Sequence, residues 1–351
     1  MAVPTKMQAL ITKETKSVKV EEILVPEIDD NDVLIKNDAI ALNPTDWKHV
    51  YTVTIPGTIV GCDFSGTIAK VGKNVTSFTI GDRVAGFTQG GHWNDVGAFA
   101  EYTRVPGDLV WKIPPGSLTQ EEAATFGCSY WTAVQALFAP GRLELTEPPA
   151  KAAVSKWILI YGASTSVGLF AIQLAHLAGY KVVTTASPKN HQLAKSLGAD
   201  AVFDYRDPDV VNKIKEVTGD SIHIGFDTVS LESSQKISIQ TFAPGPGKLL
   251  VILPPSKAAQ EIRSDVLVQV TLIYTSLGRA FDYKGSHYPV QADDHSHMAE
   301  FLKKTPELVK SGAIKPNPVK LWPGGLEAVE EGLEYLKEGK NSGEKVVFRI
   351  A

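Results

Sequence analysis

The stretch WILIYGASTSVGLFAIQLAHLAGY, residues 157–180, decides how this chain folds. Residues 157–161 are an unbroken apolar run of the length expected for a strand buried on both faces. Small residues follow from Gly162 to Gly168, and then an apolar run with helical spacing that Gly179 ends. The spacing Gly162-x-x-Thr165-x-x-Gly168 suits a turn that brings a pyrophosphate to a helix N-terminus, with Thr165, between Ser164 and Ser166, replacing the middle glycine. A purely structural turn would also use such glycines. The position between a strand and a helix favours the dinucleotide reading.

Downstream the pattern repeats. KVVTTAS (181–187), DAVFDY (200–205), HIGFDTVS (223–230), GKLLVILP (247–254) and QVTLIYTS (269–276) read as strands, and NHQLAKSLG (190–198) and VVNKIKEVTG (210–219) as helices. That β–α alternation predicts a doubly wound parallel sheet. Upstream, VLIKNDAIALNP (33–44), GCDFSGTIAKVG (61–72), GDRVAGFT (81–88) and GAFAEYTRV (97–105) read as short strands closed by turn residues, which suggests a β-rich, barrel-like domain. TQEEAATFGCSYWTAVQALF (119–138) reads as a helix between the two regions, and residues 140–151 as a surface loop. Past Gly278 lie an irregular aromatic stretch, FDYKGSHYP, two helical patterns and a closing strand, EKVVFRI, which strand alternation alone does not assign to either domain.

The chain's 351 residues exceed one ordinary core, so two domains are expected. Its 43% hydrophobic and 21% charged content is that of a globular protein, not a disordered one. A net charge of −4 lacks the basic excess of a dedicated nucleic-acid or anionic-membrane binder. No apolar run has bilayer length, the first residues lack a signal-peptide core, and there are only two cysteines. A cytoplasmic location in a reducing compartment is the expectation.

The second strand of the dinucleotide region points to the cofactor. An NAD binder usually ends this strand in an acid that bonds the ribose. Here it ends Thr184-Thr185-Ala186-Ser187-Pro188-Lys189-Asn190. Ser187 can donate to a 2′-phosphate and Lys189 can neutralise it, a contact worth about 1.5–3 kcal/mol, or roughly ten- to hundredfold in preference. Lys189 also reads as a solvated lysine at a helix start. NADPH is favoured over NADH.

Together these features resemble the medium-chain dehydrogenase/reductase superfamily in its zinc-independent quinone- and enoyl-reductase branch. The likeness is carried by Asn43-Pro44-Thr45-Asp46, Gly61-Cys62-Asp63-Phe64-Ser65-Gly66, Val71-Gly72, Gly81-Asp82-Arg83-Val84 and Gly97-Ala98-Phe99-Ala100-Glu101-Tyr102, and by the turn at Gly162. Leu197-Gly198-Ala199, Phe203-Asp204-Tyr205 and Ser342-Gly343-Glu344-Lys345 complete it. Within the branch, Ser164-Thr165, Ser-Pro-x-Asn at 187–190 and Phe-Asp-Tyr-Arg at 203–206 are similar to fungal stand-alone and trans-acting enoyl reductases of polyketide synthesis.

The resemblance implies a GroES-like catalytic domain over residues 1–125, completed by 280–351, with a Rossmann NADP-binding domain inserted at 126–279 and the active site in the cleft. Zinc relatives carry a Cys and a His-Glu pair where this chain has Asn43-Pro44-Thr45-Asp46 and Cys62-Asp63, so no metal is expected. Asp293-Asp294-His295-x-His297 reads as a solvated polar loop. The implied reaction is NADPH-dependent reduction of a C=C bond conjugated to a carbonyl (enone, enal or enoyl thioester). Hydride goes to the β-carbon and a proton to the α-carbon.

By the same resemblance Asn43, Thr45, Asp46 and Lys48 lie beside the nicotinamide. Lys48 is the candidate proton source or electrostatic partner, oriented by Asp46, and a cofactor-phosphate or surface contact is the other reading for it. Gly162, Ser164, Thr165, Ser166 and Val167 would hold the pyrophosphate, with Ser187, Lys189 and Asn190 at the 2′-phosphate. Tyr205 would pack on adenine, while Leu253 and Ser342 meet the nicotinamide end. Tyr51, Trp131, Phe281 and Tyr283 are candidates for an apolar substrate wall, with core packing as the plain alternative for each. Cys128 reads as a small buried residue.

Three alternatives stand: a trans-acting reductase of an acyl chain on a polyketide synthase carrier, a quinone or aldehyde reductase, and a cofactor-binding structural or RNA-binding protein. Monomer and homodimer both fit the resemblance.

Overall fold

The computed structural model describes residues 3–350. Two compact units divide the chain, Met1–Trp131 with Leu277–Ala351, and Thr132–Ser276.

In the first unit an antiparallel hairpin, β1 (Lys6–Thr12) on β2 (Val18–Leu24), precedes β3 (Asp32–Ala41), β4 (Asp63–Val71), β5 (Arg83–Phe87), β6 (Tyr102–Pro106) and β7 (Val110–Lys112). Strand β3 is buried on both faces because its period of two serves two cores. Leu34 joins Met7, Ala9 and Ile11 on one side, and Val33 and Ile35 join Phe64, Val84 and Phe99 on the other. A short helix, α1 (Pro44–Lys48), follows β3 and continues as a π-helical turn, His49–Val53.

The helix expected over 119–138 is broken. α2 (Gln120–Ala123) passes through a 3-10 turn, Ala124–Phe126, and α3 (Cys128–Phe138) starts after Gly127. A Cβ on Gly127 would stand 2.2 Å from Asp63 Oδ1, so this glycine lets a buried carboxylate approach the backbone.

The second unit carries β8 (Trp157–Tyr161), β9 (Lys181–Thr185), β10 (Ala201–Phe203), β11 (Ile224–Asp227), β12 (Gly247–Val251) and β13 (Val266–Val270). All pair in parallel in the order β10-β9-β8-β11-β12-β13. This is a doubly wound Rossmann sheet whose order reverses between β8 and β11, the place where such sheets take ligands. Helix α4 (Ser166–Leu177) follows β8.

Two expectations here are corrected. The last strand is Val266–Val270, and most of QVTLIYTS lies beyond it, with Ile273–Leu277 in a 3-10 turn. A helix at Glu232–Gln240 went unread because ESSQKISIQ has few apolar residues to mark a face.

The chain then returns to the first unit. The aromatic stretch is not irregular: β14 (Phe281–Tyr283) and β15 (Ser286–Tyr288) form a hairpin, turned by Lys284 and Gly285, both at positive φ. Asp293, Asp294, His295 and His297 lie on the helix Ala292–Leu302, not in a loop. β16 (Val319–Trp322) and β17 (Lys345–Arg349) finish the β-rich sheet, in the order β16-β17-β3-β4-β5-β7 with β6 on β3. The closing strand therefore belongs to the first, GroES-like unit.

Candidate functional site

In the second unit the site is built on the turn from β8 to α4. Gly162 has φ +91, and a Cβ there would stand 2.7 Å from Thr228 Oγ1. A Cβ on Gly168 would stand 2.1 Å from the Gly162 carbonyl oxygen, so helix and turn meet backbone to backbone. Thr165 caps α4: its hydroxyl accepts the Gly168 N–H at 2.9 Å and donates to the Gly162 oxygen at 3.0 Å. Threonine in place of a middle glycine thus closes the turn with a hydrogen bond.

Thr228, just past β11, ties the switch point together. Its hydroxyl donates to the Tyr161 carbonyl at 2.8 Å and lies 2.8 Å from Thr165 Oγ1. Ser164, Ser166 and Val167 are part-exposed around the helix N-terminus, where a helix of twelve residues offers first-turn N–H groups and a positive dipole end. The small cradle and the helix end fit a pyrophosphate.

Past β9, Ser187 is part-exposed and Lys189 exposed on the 3-10 turn Pro188–Asn190, with buried Asn190 donating to Ser187 Oγ at 3.4 Å. Tyr205 is 42% exposed, and the Arg206 guanidinium stands 5.6 Å over its ring. Leu253 follows β12 and is part-exposed. Buried Asp227 holds the turn after β11, accepting the N–H groups of Val229 (2.9 Å) and Ser230 (2.7 Å) and the Ser234 hydroxyl (2.6 Å). Burial pushes its carboxyl up to about 6.

In the first unit a buried polar cluster surrounds α1. Asp46 accepts the Asn43 N–H at 2.6 Å, and the Asp46 N–H returns to the Asn43 carbonyl at 3.0 Å. Burial first, and the charge of Asp63 second, push the Asp46 carboxyl up to about 7. The expectation that Asp46 orients Lys48 is corrected: among the described residues no hydrogen bond or ion pair joins them, Asp46 Oδ2 taking the Asn43 N–H while Oδ1 is buried without a partner. Lys48 instead stands 5.5 Å from the Trp47 ring centroid, its pKa lowered by burial and then by Lys284.

Beside Asp46, Lys345 lies 2.9 Å from Asp63 Oδ2 and donates to Asn43 Oδ1. Asp63 Oδ1 accepts the Cys128 N–H at 2.6 Å. His49 is buried with Nδ1 2.9 Å from the Thr45 carbonyl, and burial lowers its pKa to about 4, so the imidazole is neutral. Thr45 and Ser342 are part-exposed, as is Cys128.

The four aromatic candidates do not form one wall. Trp131 is fully buried against Phe87, 5.3 Å between centroids, and is a core residue. Phe281 is buried and stacks on Tyr288 at 4.9 Å. Tyr283 meets His49 at 5.8 Å. Tyr51 lies under Lys337, with its hydroxyl buried and its pKa raised to about 12 by burial.

Thus the structure groups Asn43, Asp46, Cys62, Asp63, Cys128 and Lys345. The sequence motifs contain Cys62, Asp63 and Lys345 without marking a role for them, and none marks His49 or Thr228. Among the described residues no three His, Cys, Asp or Glu side chains are placed to hold a metal ion. Asp294 and His295 turn to structural use, His295 pairing with Asp108 at 3.3 Å.

Comparison with known proteins identifies the architecture. Residues 29–115 match the alcohol dehydrogenase GroES-like domain, and residues 166–286 the zinc-binding dehydrogenase family. The trans-enoyl reductase ACTTS2 of Alternaria alternata is 42% identical over 347 residues, covering 98% of each chain. The chain belongs to the medium-chain dehydrogenase/reductase enzymes, in their enoyl reductase branch. In fold this reductase is similar to the CurK enoyl reductase, with a TM-score of 0.77 at 19% identity over 99% of this chain and 100% of that one. It is similar also to mycobacterial Rv1454c, solved with NADPH, with a TM-score of 0.73 at 22% identity over 98% and 99%.

Proposed function

We propose that this enzyme reduces the C=C bond of an α,β-unsaturated carbonyl compound with NADPH and without zinc, and that its natural substrate is an enoyl thioester on a polyketide synthase carrier. The 42% identity, end to end, to a trans-enoyl reductase carries this reading. The carrier form is preferred over a free quinone or aldehyde for the same reason. Bound NADPH supplies a hydride to the β-carbon.

The chain's own residues supply the rest. Ser164, Thr165, Ser166 and Val167 on the α4 end bind the pyrophosphate. Ser187, Lys189 and Asn190 take the 2′-phosphate, where β9 ends without an acid. Tyr205 offers its ring to adenine, and Leu253 borders the nicotinamide end. Asn43 donates to the carbonyl oxygen as it becomes an enolate. Lys48, whose ammonium burial makes more acidic, supplies the α-proton. Tyr51 and Tyr283 face the acyl chain, while Phe281 and Trp131 stay in the core.

The test is isotopic. With NADPH deuterated at C4, crotonyl thioester should yield butyryl thioester labelled at C3, and reaction in heavy water should label C2. Label at a carbonyl carbon, giving an alcohol, would overturn the proposal.

A further inference from the structure

We propose that Lys345 fixes the orientation of the Asn43 carboxamide, turning its Nδ2 amino group into a preset hydrogen-bond donor for the carbonyl oxygen of a conjugated substrate. This rests on the C=C reduction reading above and assigns a positioning residue that the motifs did not.

Asn43, Asp63 and Lys345 lie at the ends of three neighbouring strands, β3, β4 and β17. Their exposures are 3%, 0% and 1%. The Lys345 ammonium donates to Asn43 Oδ1 and pairs with Asp63 Oδ2 at 2.9 Å. An ammonium has three donors and no acceptor, so only the oxygen end of the amide can face it. The flipped amide would set NH₂ against NH₃⁺.

Because the amide is planar, pinning Oδ1 aims Nδ2 away from Lys345, where it is buried without a partner among the described residues. Native structures rarely keep such a donor without use for it. The rest of Asn43 is fixed too, since its backbone N–H is held by Asp46 at 2.6 Å. Asp63 is anchored in turn by the Cys128 N–H at 2.6 Å, so the Lys345 charge is balanced and its position set. A donor fixed before the reaction needs no reorganisation as charge grows on the substrate oxygen.

The test uses the full chain, NADPH and crotonyl thioester. Asn43→Leu deletes the donor and leaves the Lys345–Asp63 pair. Asp63→Asn/Lys345→Gln replaces the ion pair with neutral amides and frees the Asn43 amide to sit either way. Asn43→Leu should lower kcat about 100-fold, with NADPH affinity by fluorescence within about twofold of the parent. The double variant should lower kcat about tenfold, again with NADPH affinity kept, at a temperature well below its melting point. If it does not melt cooperatively, Asp63→Asn/Lys345→Met replaces it with the same expectation. Either variant keeping the parent kcat, or losing NADPH affinity in step with kcat, overturns the inference. A parent that reduces no conjugated substrate overturns the reductase reading itself, and the donor's role with it.

Discussion

Thr228→Val asks how the cofactor turn is held. The Thr228 hydroxyl donates to the Tyr161 carbonyl at 2.8 Å and stands 2.8 Å from Thr165 Oγ1 and 3.1 Å from the Gly162 oxygen. Valine keeps the shape and removes all three contacts. One hydroxyl proton makes one strong bond at a time, and Thr165 can still donate to the Gly162 oxygen at 3.0 Å. The loss is therefore about one buried hydrogen bond, with the Tyr161 carbonyl still accepting the Thr228 N–H at 3.1 Å, about 1–1.5 kcal/mol. That lowers the melting temperature by about 2–6 °C for a unit of this size. A turn loosened by about 1 kcal/mol should raise KM for NADPH about fivefold, with kcat at saturation unchanged. Thr228→Ser keeps the hydroxyl and should behave as the parent. Thermal melts with and without NADPH, and steady-state kinetics, measure both effects. A serine variant as weak as the valine one, or a valine variant with unchanged KM, would refute the argument.

Gly168→Ala sets a Cβ 2.1 Å from a carbonyl oxygen of the turn with no rotamer to relieve it. It should cost about 1–3 kcal/mol in urea unfolding and weaken NADPH binding more than about tenfold, whereas an unchanged Kd would speak against the cradle. Lys189→Ala should lower kcat/KM with NADPH about tenfold and leave NADH alone; equal loss with both would remove Lys189 from the 2′-phosphate. Asp46 has its carboxyl pushed up to about 7, so its contribution is fullest at acid pH and is lost as pH rises through that value. Asp46→Asn should therefore gain in melting temperature over the parent between pH 5 and pH 8, and a gap that does not change with pH would contradict this. The Asp108 carboxylate raises the His295 pKa, so that pair stabilises below the ordinary histidine value and fades as pH rises. The parent's advantage over His295→Gln should accordingly be larger near pH 6 than near pH 9.

Where local periodicity decided the structure, the sequence was readable. The change from a continuous apolar run at 157–161 to helical spacing after Gly168 marks β8, the turn and α4 without any tertiary knowledge. Strand β3 was legible as a strand, but not as one buried on both faces, because that needs β1 behind it. The helix Ala292–Leu302 was misread because Asp293, Asp294, His295 and His297 crowd its polar first half, while its buried residues Met298, Phe301 and Leu302 come late. Gly127 breaks a helical pattern for a carboxylate 64 residues earlier in the chain, at Asp63. Lys345 reads as an ordinary strand-start lysine, since its partner Asn43 is 302 residues away in sequence. Contacts of that range leave no spacing to read.

Reduction of conjugated C=C bonds is the activity on which the proposed function stands. The most direct measurement is NADPH consumption against a matched set: an enone, an enal, a crotonyl thioester, a quinone and a saturated aldehyde, each with and without a metal chelator, with products identified by mass. Saturated carbonyl products are expected from the conjugated alkenes, with the chelator making no difference. An alcohol from the saturated aldehyde, with the alkenes untouched or the activity lost to the chelator, would contradict it.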